Sequence, residues 1–441
     1  MKRIILFVLV LALSASLSGC FLDPAENLYA IPKQPEEYYE LQKAIEEAMP
    51  EGTTYCTPTS GDNQQAVQLA DLDGDGSDET IVFLKTAAGS LTVCIFSRRD
   101  GAYRLLSSLE SAGSSFDHVE YVQIDGEPGN ELVFGRLISD QVAQTLSVYA
   151  LRGDTAQELL TANYSEYIMA DLDADGNRDL VLLRADTEQS GVAEYYHWQE
   201  GQLVRAREAG MTTPVTAVKR IITGRMCHEV PAVFVASEYG EGMIVTDIFA
   251  LRHGEFCNLT LADGNNTGVE TVRDYYVYST DIDDDGLIEL PRLIALPELE
   301  DDETSKNRSL ICWYNLLPSG TEQVKCLTYH SYSGGWYLIV PQRWAQTLAV
   351  TRVAVSSTTL GFRFQLVSDG KTTALFTLCA VSKDDIKRLA EEPGWEKLAE
   401  NGNTVYLCSL EKGAAAEGLN VGTLQTMFRF IRVDWKTGET E

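Results

Sequence analysis

The stretch DLDGDGSDETIVF, Asp71 to Phe83, places carboxylates at Asp71, Asp73, Asp75 and Glu79 around a glycine at Gly76, then runs directly into an apolar β-type segment. Two close copies follow, DLDADGNRDLVLL from Asp171 and DIDDDGLIELPRL from Asp281. The intervals of 100 and 110 residues are each about twice fifty, so a degenerate copy is expected inside each gap. QIDGEPGNELVF from Gln123 and IITGRMCHEVPAVF from Ile221 fill those places, giving steps of 52, 48, 50 and 60 residues. After each turn come a strand-like run (TIVFLK, ELVFGR, DLVLLR, PAVFVA), a second strand and a third. A fifty-residue period of short strands predicts a β-propeller of about five to seven blades over residues 67–330, because one such unit cannot bury both faces of its sheet alone and stacking buries them together.

The acidic turns have the spacing of a calcium loop. In D-x-D-x-D-G-x-x-[DE], hard oxygens at alternate positions can wrap one Ca2+ while glycine takes the sharp turn. The expected ligands are Asp71, Asp73, Asp75, the Ser77 carbonyl and Glu79; then Asp171, Asp173, Asp175, the Asn177 carbonyl and Asp179; then Asp281, Asp283, Asp285, the Leu287 carbonyl and Glu289. An EF-hand would need a carboxylate at position twelve and flanking helices, but that position holds Val82, Leu182 and Arg292 in β-type sequence. The second loop keeps Gln123, Asp125, Glu127 and Glu131 but has Pro128 at the turn. The fourth offers Ile221, Thr223 and Arg225, and is expected to bind nothing. Carboxylates this close repel one another unless a cation lies between them.

The chain opens MKRIILFVLVLALSASLSGC, two cations before an apolar run too short to span a bilayer. Leu17-Ser18-Gly19-Cys20 resembles a bacterial lipobox, which implies a signal peptide over residues 1–19, cleavage before Cys20 and its acylation, with membrane attachment through the lipid. Cleavage would remove Lys2 and Arg3 and no acid, taking the formal net charge from −30 to −32. So acidic a surface disfavours nucleic acid and anionic headgroups as partners and favours divalent cations. Residues 20–66 read as a tether followed by an amphipathic helix, EEYYELQKAIEEAM, with Tyr38, Leu41, Ile45 and Met49 on one face. Residues 331–441 read as a smaller α+β domain, since the fifty-residue rhythm stops at His330. Its expected last helix carries Leu424, Met427, Phe428, Ile431 and Trp435. Cys312 and Cys326 flank a turn at Pro318–Gly320 symmetrically, as a hairpin disulfide would require.

The acidic turns resemble FG-GAP or VCBS repeats of integrin-type propellers, and that resemblance implies structural calcium. The order of parts, from the lipobox through VQLADLDGDG to SGGWYLIVPQRW, is similar to surface lipoproteins of Gram-positive anaerobes and implies no particular activity. His118, His197, His228, His253 and His330 are scattered without metal-pair spacing, and no nucleophile or phosphate-loop motif is present. The sequence therefore leads to a lipid-anchored, calcium-stabilised binding or adhesion module for an extracellular protein or glycan. A polysaccharide hydrolase or lyase, built on the abundant paired carboxylates, and an envelope assembly scaffold are the alternatives.

Overall fold

A computed structural model describes residues 36–138, 144–188, 190–261, 271–273, 277–297, 309–317, 321–357, 359–384, 386 and 394–432. The described chain is mainly β, in six antiparallel sheets that follow one another along the sequence. Helix α1 (Glu36–Ala48) leads in, laying Ile45, Leu41 and Ala44 on Val82, Leu84 and Phe96 of the first sheet. Tyr38 was expected on that buried face but is exposed.

The first sheet holds β1 (Thr54–Tyr55), β2 (Val67–Ala70), β3 (Glu79–Lys85), β4 (Leu91–Arg99) and β5 (Ala102–Ser111). The second holds β6 (Ser115–Val122), β7 (Glu131–Leu137), β8 (Gln144–Arg152) and β9 (Thr155–Tyr164). The third holds β10 (Glu166–Ala170), β11 (Asp179–Ala185), β12 (Gly191–Gln199) and β13 (Gln202–Gly210). The fourth holds β14 (Val218–Met226), β15 (Val230–Glu238), β16 (Ile244–Arg252) and β17 (Glu255–Asn258). The fifth has β18 (Leu290–Ala295), β19 (Ser309–Leu316), β20 (Glu322–Ser331) and β21 (Trp336–Val340). The sixth has β22 (Leu348–Ala354), β23 (Leu360–Ser368), β24 (Lys371–Ser382), β25 (Trp395–Asn401) and β26 (Thr404–Leu410). Helix α2 (Val421–Met427) and β27 (Phe428–Phe430) follow, and β27 returns to pair with β21. Several hairpins close on two residues with φ above zero, such as Asp100-Gly101 and Glu200-Gly201, the geometry that suits right-twisted antiparallel strands.

The apolar runs of the inner sheets are continuous because those sheets are covered on both faces. Within β11, Leu180 and Leu182 face Val133, Leu146 and Val148 of the second sheet, while Val181 and Leu183 face Val233, Val235 and Phe249 of the fourth. The period of two along a strand thus sends alternate side chains into successive cores. The same holds in β15, where Ala232 and Phe234 join Leu290 and Tyr314 of the fifth sheet. Phe83, Phe116 and Phe134 join the first two sheets edge to face, at 5.0 and 5.9 Å between ring centres.

The structure places the end of the fifth sheet later than the sequence rhythm does. His330, the expected domain edge, lies inside the β20–β21 hairpin opposite Tyr337, buried and stacked on that ring at 4.9 Å. Beyond Val340 the described residues include a five-stranded sheet, a seven-residue helix and a helical Ile386. The expected last helix stops at Met427, since Phe428–Phe430 is recruited as an edge strand; Trp435 lies outside the described residues. Cys312 and Cys326 are both free. A bulge moves the register so that Cys326 lies opposite Trp313 and Cys312 opposite Leu327.

Trp336, Leu338 and Tyr329 of the fifth sheet share one core with Phe364, Phe376 and Leu378 of the sixth, and Trp336 stacks on Phe428 at 5.8 Å. Trp336→Ala should lower the unfolding free energy by about 3–5 kcal/mol in urea denaturation, and a chain ended at residue 330 should lose cooperative unfolding of its fifth sheet. A change below about 1 kcal/mol, or a cooperative shortened chain, would place the boundary back at His330.

Candidate metal centres

Four loops share one backbone design, at residues 71–79, 123–131, 171–179 and 281–289. The second residue of each is apolar and buried, namely Leu72, Ile124, Leu172 and Ile282. Its backbone N–H donates to the carboxylate at the ninth position, at 3.0 Å to Glu79, 2.7 Å to Glu131, 2.9 Å to Asp179 and 3.0 Å to Glu289. Those four acids are only 1, 2, 5 and 0 % exposed. The apolar anchor fixes the loop to the core, and the buried acid ties the loop's entry to the start of the next strand.

At the rim, Asp71 accepts from the N–H groups of Gly74 (2.7 Å) and Gly76 (3.0 Å), and Asp281 from those of Asp285 (3.1 Å) and Gly286 (2.9 Å). Asp75, Asp175 and Asp285 each take the N–H two residues on, from Ser77, Asn177 and Leu287. The sixth-position glycine is needed, with φ of 85°, 97° and 86° at Gly76, Gly176 and Gly286. The fourth position is also left-handed, at Gly74, Ala174 and Asp284, a demand not apparent from the motif. In the second loop the glycine is displaced by one, Gly129 at φ 104° following Pro128.

Acidic oxygens converge in three of these loops. One oxygen each from Asp71, Asp73 and Glu79 lie within 4.8 Å of one another, as do those of Asp171, Asp173 and Asp175, and of Asp281, Asp283 and Asp285. All are hard donors suited to a divalent cation. In the third loop Oδ1 of Asp171 is buried and accepts no hydrogen bond from the protein, as a ligand atom reserved for a cation would be. Cys20 lies outside the described residues.

Two residues that sequence reasoning missed bring positive charge to the other loops. The Arg152 guanidinium contacts Asp125 and lies 3.9 Å from Glu131, and Lys325 Nζ contacts Asp285 and lies 3.1 Å from Asp283 Oδ2. Neither is near its loop in sequence, so no local signal could have found it. The fourth loop is corrected more fully. Ile221, Thr223 and Arg225 are not loop residues but lie on β14, paired with β15, and the turn is the three-residue Cys227–Glu229 with His228 and Glu229 at positive φ.

Neighbouring loops interlock. Asn130 donates N–H and side-chain amide to Asp71 O at 3.0 and 3.1 Å, Arg178 N–H to Gln123 O at 2.7 Å, and Ile288 N–H to Arg225 O at 2.8 Å. Among the described residues no such bond joins the third loop to the short Cys227–Glu229 turn. A cavity of about 540 Å3 lies there, lined by Asp171, Gly176, Arg178, Thr223, Arg225 and Glu229. Glu229 is engaged by Arg225 at 2.5 Å. A more open hollow of about 680 Å3 at the first and second loops carries Asp73, Asp75, Glu127, Arg152 and Trp198.

No protein-family model matches the chain, and no curated protein matches it. Among solved structures it is similar to the rhamnogalacturonan lyase YesW, at 12% identity and TM-score 0.32 over 73% of this chain and 57% of that one. It is similar also to the exotype rhamnogalacturonan lyase YesX, at 12% and 0.27 over 82% and 75%, and to Saccharomyces cerevisiae Sqt1, at 10% and 0.29 over 72% and 85%. The chain thus spans little more than half the length of YesW.

Burial raises the ninth-position acids, pushing Glu131, Asp179 and Glu289 up to about 7 from 4.5, 3.8 and 4.5, and lifting Glu79 as well. In metal-free protein the folded state therefore keeps protons that the unfolded chain has released, so their contribution is present at acid pH and is lost as pH rises toward 7. Chelator-treated protein should lose melting temperature between about pH 5 and 7.5, and calcium, which stabilises the ionised forms, should flatten that slope. Parallel melting profiles with and without calcium would refute the coupling.

Proposed function

We propose that the chain is a lipid-anchored, calcium-binding module displayed outside the cytoplasm, a propeller-like ring of sheets that binds an extracellular protein or glycan beside its third acidic loop. The observation that carries this reading is the break in the interlocked loops, where a cavity lined by Asp171, Thr223 and Glu229 opens. Its volume is in the range of small-ligand sites, roughly 300–1,000 Å3. The second to fifth sheets, each burying both faces against the preceding and following sheet, support the propeller, and the hard-oxygen sets support calcium over a softer metal. Asp71, Asp73, Asp75, Ser77 and Glu79 would hold one ion, and Asp171, Asp173, Asp175, Asn177 and Asp179 another. Binding is favoured over hydrolysis because the two acids on the cavity wall have other roles, Asp171 in the third loop and Glu229 with Arg225.

Calorimetric titration of the chain from residue 21 should give calcium heats with Kd on the order of 10⁻⁴ to 10⁻³ M, and the melting temperature should climb with the logarithm of calcium concentration. Asp173→Ala should abolish one site, while Asp125→Ala should leave the titration unchanged. Thr223→Trp fills the cavity from an exposed position and should remove ligand retention from an envelope extract without altering the calcium titration. Absence of calcium heat together with indifference to chelator would reduce the loops to acidic turns. Undiminished retention by Thr223→Trp would move the ligand elsewhere.

A further inference from the structure

The four acidic loops share a backbone but not a source of positive charge. Among the described residues no lysine or arginine side chain forms an ion pair with the clustered aspartates of the loops at 71–79 and 171–179, whereas Arg152 faces Asp125 and Glu131, and Lys325 faces Asp283 and Asp285. Arg99, which matches Arg152 by register in the first sheet, is turned to Asp154 at 2.5 Å and leaves its own loop alone.

The placement of Lys325 follows from a recurring irregularity. In the first, second, third and fifth sheets the hairpin formed by the second and third strands after the loop carries a bulge at the same place, opposite the strand residue that pairs with loop position ten. The register passes over Leu106 between Ser107 and Leu105, over Leu159 between Leu160 and Glu158, over Ala206 between Arg207 and Arg205, and over Lys325 between Cys326 and Val324. A bulge re-aims one side chain relative to the ladder. Three of the four extra residues are apolar and pack with their sheets. In the fifth sheet the residue is a lysine, long enough for its ammonium to stand among the carboxylates where a metal would stand.

We propose that only the first and third loops take up calcium, that Arg152 and Lys325 are permanent counter-ions of the second and fifth loops, and that Lys325 masks a third, latent site. This rests on the reading of loops one and three as calcium sites. It implies that calcium withdrawal loosens the first and third sheets and leaves the fifth held. The ammonium supplies one charge and no exchangeable coordination shell, so the fifth loop is indifferent to calcium at concentrations that fill the other two.

Calcium chloride titrations of the full chain from residue 21 test this directly. Wild type should bind two ions, Lys325→Met three, and Lys325→Arg two. Hydrogen exchange on wild type should show calcium-induced protection at residues 71–79 and 171–179 and none at 281–289, a readout that holds even if a Lys325 variant folds poorly. Three ions in wild type, two in a folded Lys325→Met, or calcium protection of 281–289 would each overturn the inference. No ion at all in wild type would instead overturn the calcium reading on which it stands.

Discussion

One hydrogen bond recurs four times and organises the molecule around it, from the backbone N–H of a buried apolar residue to a carboxylate seven residues later that is itself almost wholly buried. Burying a carboxylate costs free energy unless its charge is answered. The N–H answers part of it, and the remainder falls to whatever cation the loop collects. Fixing both ends of the loop to the core also fixes the direction in which the next strand leaves, and hence which residues of that strand face the preceding sheet and which the following one. Leu180 and Leu182 can serve one interface, and Val181 and Leu183 the other, only because Asp179 begins the strand in that register.

How the remaining charge is met differs from loop to loop. The fold itself sets the Arg152 guanidinium beside the second loop and the Lys325 ammonium beside the fifth. The aspartates at 71–79 and 171–179 accept backbone N–H groups and, among the described residues, form no ion pair with a lysine or arginine, while His197 lies near Asp173. The loops stand on equivalent strands, and at the bulge beside the fifth loop Lys325 takes the place held by Leu106 in the first sheet and Ala206 in the third.

The cavity has a related origin. Acidic loops long enough to reach their neighbours close the gaps between sheets through backbone bonds, as Asn130 does to Asp71 and Arg178 to Gln123. The three-residue turn at Cys227–Glu229 keeps β14 and β15 paired to their ends but leaves Asp171 facing open space. The cavity therefore lies at the degenerate repeat. Pairing Arg225 with Glu229 keeps that opening polar without net charge of its own.

The amino-acid sequence alone was enough for the sheet-rich repeat, its fifty-residue period and the carboxylates of the first, third and fifth loops. Each of these is encoded locally, by alternation along a strand or by spacing within nine residues. It misplaced the fourth turn, because Ile221 was aligned by spacing, whereas strand pairing runs on to Met226. It ended the repeats at His330, since a buried histidine inside a hairpin has no sequence mark that distinguishes it from a boundary. It could not show Lys325 beside Asp283, or Arg152 beside Asp125, because those pairs are separated by 42 and 27 residues and meet only through strand register and a bulge. Local chemistry is written in neighbouring residues, but the neutralising partner of a buried charge is chosen by which strands the tertiary structure lays side by side.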